Sequence, residues 1–156
     1  MRNFSLEGRI ITLEGRKLKI EEQLTEVLDQ RMGQRNVLVK TRNIESNIRS
    51  LIKMRYQLNP EDFEFVGNDN VEIMKIAWEH FCNEVQAAKL LGEAGLGPQY
   101  VDNLSRVQPK WMAFPGGYVD FLVMKPASGE NLDAILEELT DRQLASIRTQ
   151  LAHILE

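Results

Sequence analysis

One amphipathic helix stands between two sets of strand-like segments, and that order does most to limit the fold. Residues 79–93 place Phe81, Val85, Ala88 and Leu91 along one apolar stripe at the helical period. Gly95 follows as a left-handed terminator. Before this helix, RIITLEG and RKLKIEEQLTEV alternate in polarity around a Glu14-Gly15 turn, and VLVKTR (37–42) alternates again after the turn signal MGQRN. Residues 44–58 carry Ile44, Ile48, Leu51, Ile52 and Arg55 at helical spacing up to Pro60, which predicts a further helix. FEFVGNDNVEIMKIA reads as two short strands around an Asn-Asp-Asn turn. Beyond Gly95, GLGPQYV turns back into the fold and VQPKWMAFPGG reads as a strand pair with an irregular connection. YVDFLVMKP is a strong strand broken by Pro126. Thr140 and Gln143 form a capping box ahead of a helix at 141–156 whose stripe is Leu144, Ile147, Leu151 and Ile154. The order predicts an α+β domain with a five-stranded antiparallel sheet.

The bulk numbers narrow the function. With 156 residues, 43% hydrophobic and 27% charged, the chain reads as a single domain spanning 1–156 that buries a core without staples. Cys82 is the sole cysteine and only His80 and His153 accompany it, so no metal site is identifiable from ligand spacing. A net charge of −4 argues against a nucleic-acid partner. The basic residues at 16–19 and 31–55 alternate with acids and read as solvated faces. No 18-residue apolar run occurs, and MRNFSLEGR lacks the apolar core of a signal peptide. The expectation is a cytoplasmic protein with no membrane partner.

Two charges in residues 71–91 sit on apolar faces. Read as a strand, Val71, Ile73, Lys75 and Ala77 share a face; read as a helix, Glu84 lies inside the stripe of Phe81, Val85 and Ala88. A lone charge on an apolar face is costly, and two opposite charges nine positions apart invite a pair.

That strand lysine and helix glutamate resemble the small lobe of protein kinases, where a strand lysine pairs with a helix-C glutamate and holds the nucleotide's α- and β-phosphates. EIMKIA is similar to the lysine-bearing strand, with Lys75 as that lysine. FCNEVQAAKLLGEAGLGPQYV is similar to helix C and the turn after it, with Glu84 as the partner. YVDFLVMKPASGENLDAIL resembles the fifth strand and hinge. It makes Met124 the gatekeeper and Lys125, Pro126 and Ala127 the hinge, with a short helix starting at Asn131–Leu136. LTDRQLASIRTQLAHILE resembles helix E. The resemblance covers residues 65–156, with 65–140 as sheet, helix C and hinge and 141–156 as helix E, while 1–64 match loosely as a decorated amino-terminal part. It is nearest to fungal kinase-like and aminoglycoside phosphotransferase-like proteins, and it implies an ATP site.

Several parts of that machinery are missing from these residues. Gly8, Gly15, Gly33 and Gly67 do not fall in a G-x-G-x-x-G spacing, and no H-R-D-like or D-F-G-like segment occurs. Ile73 stands two positions before Lys75, where a small alanine is usual, and Pro126 removes one hinge N–H. The expectation is a non-catalytic, kinase-like small-lobe module with weak nucleotide binding, acting through association. The alternative is the amino-terminal half of an active phosphotransferase. A blander reading, an α+β interaction domain with an accidental ion pair, predicts Lys75 and Glu84 exposed and far apart. The stripe on 141–156 implies a homodimer or a partner domain covering it.

Overall fold

The computed structural model describes residues 5–63 and 70–126. Among the described residues, six strands and one α-helix follow one another as β1 (Ile10–Leu13), β2 (Arg16–Asp29), β3 (Gln34–Asn43), β4 (Arg49–Gln57), α1 (Asn70–Glu93), β5 (Gln99–Val107) and β6 (Tyr118–Lys125). A 3-10 turn, Pro60–Asp62, follows β4. The sheet has six strands, not five, in the order β1-β2-β3-β4-β6-β5, and every neighbouring pair is antiparallel.

Alternation sorts the sheet into two faces. Val37, Val39, Ile52, Met54, Tyr56, Val119, Phe121 and Val123 project to one side and join Ile11, Leu13, Leu18 and Ile20 in the main core. Strands β1 and β6 are not neighbours, so this shared core requires the sheet to curl until β1 lies across from β5 and β6. Two register shifts in β2, between Ile20 and Glu22 and between Gln23 and Thr25, supply local bends. The other face carries Leu51, Leu122 and Met124 against Phe81 and Val85 of α1.

Three expectations need correction. The segment 44–58 is not a helix: Asn43–Ile48 is a hairpin turn and Arg49–Gln57 is β4. Asn43 builds that turn, its Oδ1 accepting the backbone N–H groups of Glu45 (2.9 Å) and Ser46 (3.2 Å). Ile48, which the helical reading buries, is 67% exposed. Second, Val71–Ala77 is not a strand of a hairpin but the first two turns of α1, because Ile73, Ala77, Phe81 and Val85 continue one buried stripe at i, i+4, i+8 and i+12. Third, 108–117 is an irregular loop rather than part of a strand pair. Buried Gln108 holds it, donating from Nε2 to the carbonyls of Gln57 (2.7 Å) and Tyr118 (2.9 Å) and accepting from Phe114 N–H (2.9 Å).

The carboxyl end of α1 is as the sequence predicts. Leu96 N–H bonds to Leu91 O (2.9 Å) and Gly95 N–H to Gly92 O (3.2 Å), with Gly95 at φ 72, which closes the helix with the paired bonds of a Schellman motif. The predicted short helix starting at 131–136 and the helix at 141–156, with Ala127 and the stripe Leu144, Ile147, Leu151 and Ile154, lie outside the described residues.

Candidate functional site: a carboxylate shared by two strand cations

Strand β4 is covered on both sides, so its helix-facing positions should be apolar throughout. Leu51 obeys; Lys53 and Arg55, at the next two positions on that face, do not. Both converge on Glu84. Arg55 donates from Nε to Glu84 Oε1 at 3.1 Å, and Lys53 Nζ donates to Oε2, so each carboxylate oxygen has its own cation. The side chains of Lys53, Arg55 and Glu84 are 33%, 12% and 21% exposed, which makes this a half-buried triad rather than a surface pair.

The electrostatics follow from that placement. Burial alone would raise the Glu84 pKa. The charges of Lys53 and Arg55, and the hydrogen bonds both donate, outweigh it and hold the carboxyl below its usual range. Glu84 is therefore a fixed anion that orients two cations. Lys53, the more exposed, has two further donors that can address an outside anion.

The structure brings Glu84 to a strand lysine, but that lysine is Lys53. Lys75 sits on α1 itself, nine residues before Glu84. At 100° and 1.5 Å per residue that separation puts it half a turn around and about 13 Å along the same helix, and Lys75 is exposed. Met124 is buried on the helix-facing side of β6, directly opposite Leu51 of β4. Lys125 ends β6 and is exposed. The hairpin turn between β2 and β3 is folded back toward the same face. Asp29 Oδ1 accepts the N–H groups of Arg31 (3.1 Å) and Met32 (3.2 Å), and Met32 packs against Ile73 and Ala77 of α1.

Sequence reasoning missed Lys53 and Arg55 because it placed them in a helix. The signal that finds them is the i, i+2 spacing of two cations in a strand whose alternate residues, Ile52, Met54 and Tyr56, are apolar. A buried acid was also missed: Asp120 on β6, facing Arg55 in the β4–β6 register. Among the described residues no group of three or more His, Cys, Asp or Glu side chains is placed to hold a metal ion, and no helix is long and apolar enough to cross a membrane. Compared with protein families and with curated proteins, the chain shows no match.

Proposed function

We propose that this chain is a kinase-like small lobe that binds nucleotide phosphates weakly through Lys53, with Glu84 holding the lysine in place. The observation that carries the reading is the Lys53–Glu84 ion pair between a sheet strand and the helix that follows it. Order supports it as well. With β1 set aside, β2 and β3 form a hairpin, β4 is the third strand and bears the lysine, α1 bears the glutamate, and β5 and β6 complete five strands. The expected pairing of Lys75 with Glu84 does not occur, and Lys53 is proposed for that role instead. Leu51, two positions before Lys53, and Met124 opposite it take the places of the adenine-facing residue and the gatekeeper, and the hinge falls at Lys125–Ala127.

Two features set the affinity low. The β2–β3 turn carries one glycine, Gly33, in place of three, so few backbone N–H groups can approach a phosphate. Met32 of the same turn is 8% exposed and packed on α1, within the space a phosphate-cradling loop would span. These 156 residues contain no H-R-D-like or D-F-G-like segment, so the role assigned to them is binding, not phosphoryl transfer. Association is the second half of the proposal, through a second copy or a partner domain covering the stripe Leu144, Ile147, Leu151 and Ile154.

Titration calorimetry with ATP, with and without Mg²⁺, tests the nucleotide site. Weak saturable binding that Lys53→Ala removes is the expected result, and binding indifferent to Lys53→Ala defeats the reading. Light scattering at micromolar concentration tests association, and a monomer across the concentration range removes that half.

A further inference from the structure

Asp120 is a charged side chain that the proposed phosphate site does not use. It is 3% exposed, in the middle of β6, on the face that α1 covers. Its one described hydrogen bond comes from the Ser105 hydroxyl of β5, its register partner, to Oδ1. Arg55 lies opposite it on β4, but that guanidinium directs its Nε to Glu84, and no described ion pair includes Asp120. The carboxylate is therefore desolvated without a full counter-charge. Burial pushes its pKa up, and the Ser105 hydrogen bond and the Arg55 charge offset only part of that.

What lies beside Asp120 is not packed core. A recess of about 210 Å³ opens there, lined by Met74, Ala77, Trp78, Ser105, Tyr118 and Asp120. Two aromatic rings and a thioether form its walls, and the only carboxylate among its lining residues is Asp120. Trp78 is half exposed, with its ring centroid 5.8 Å from that of Phe81. Aromatic faces and a buried carboxylate favour the same kind of guest, a cation with an apolar body.

We propose that this recess binds an alkylammonium group, its nitrogen pairing with Asp120 and its chain lying among Trp78, Tyr118 and Met74. The inference stands apart from the nucleotide reading, since that reading assigns no role to Asp120 or to the residues lining this recess. The same chemistry is carried by a small free amine and by a lysine side chain of a peptide.

The test uses the two tryptophan indole N–H signals of the ¹⁵N-labelled full chain as probes. Trp78 lines this recess and Trp111 lines a separate cleft, so one signal reports and the other controls. Titration with n-pentylammonium should move the Trp78 signal saturably in the millimolar range and leave Trp111 still. The equal-length alcohol n-pentanol should bind about tenfold more weakly or not at all. Nα-acetyl-lysine amide separates the sources: binding as tight as pentylammonium assigns the recess to peptide lysine, and binding only by the free amine assigns it to small amines. Asp120→Asn keeps the Ser105 hydrogen bond and should weaken pentylammonium by about tenfold or more. Trp78→Ala, at an exposed position, should also weaken it, read from the Ser105 amide. Equal binding of amine and alcohol, retained affinity in Asp120→Asn, or no shift with tens of millimolar amine would each overturn the proposal.

Discussion

Arg55 of β4 donates from Nε to Oε1 of Glu84 on α1 at 3.1 Å, which leaves the second carboxylate oxygen to Lys53. The two cations are not equivalent. Arg55 is nearly buried and Lys53 is one-third exposed. Arg55 therefore serves to anchor the helix, and Lys53 is the one free to address solvent.

That difference predicts unequal costs. Arg55→Ala removes the buried partner and should lower unfolding free energy by about 1–3 kcal/mol. Lys53→Ala should cost roughly 0–1 kcal/mol, because its exposed end exchanges the ion pair for water. Glu84→Ala should cost more than either, since it leaves two cations without their anion. Urea denaturation of the three variants checks the order.

Glu84 and Asp120 should respond to acid in opposite directions. The folded-state pKa of Glu84 is depressed, so its contribution is complete above the unfolded value of about 4.3 and is lost as pH falls through the folded value. The Asp120 pKa is raised, so its ionised form costs stability above the folded value. That cost disappears as pH falls through the folded value to the unfolded value of about 3.9. Asp120→Asn should therefore raise the melting temperature at pH 7 by roughly 2–4 °C, with the gain vanishing below about pH 4. Glu84→Gln should lower it at pH 7, with the loss shrinking over the acid range. Melting curves from pH 3 to pH 8 measure both, the range chosen to bracket the unfolded carboxylate values.

Gly117 is fixed by space rather than by a left-handed backbone. A Cβ there would lie 2.6 Å from Phe114 Cδ2, 2.9 Å from Gln57 Oε1 and 3.1 Å from Phe114 O. The backbone carbonyl of Phe114 has little room to yield, because its own N–H is tied to Gln108. Gly117→Ala should destabilise by about 1–3 kcal/mol, read from the shift of the urea midpoint.

Much of the sheet and the end of the helix were legible because their signals are local. The Glu14-Gly15 turn, the alternation of β2 and β3, the Pro126 stop and the Gly95 terminator each depend on neighbouring residues alone. What failed was β4. Covered on both faces, it places Leu51 and Ile52 side by side, and that apolar pair with Ile44 and Ile48 fits a helical stripe as well as a strand. The exposed Ile44 and Ile48 belong to a turn, which composition alone conceals. Misplacing β4 hid Lys53 and left Lys75 as the only candidate near Glu84. The start of α1 was misread for a related reason: VEIMKIA is β-branched enough to pass for a strand, although Ile73 and Ala77 extend the stripe of Phe81 and Val85 backward by two turns. That Glu84 needs a partner was legible, because an acid inside a strong helical stripe needs one whatever the rest of the fold does, but the partners are Lys53 and Arg55 rather than Lys75.

The measurement that bears most directly on the central claim is ATP affinity by calorimetry in the parent chain, Lys53→Ala and Lys75→Ala. The two lysines are the competing candidates for one role, and the exposed position of Lys75 makes its variant a control for overall charge. The account predicts weak binding in the parent, unchanged binding in Lys75→Ala, and a loss of about tenfold or more in Lys53→Ala. Binding that survives Lys53→Ala, or that depends on Lys75 instead, would contradict it.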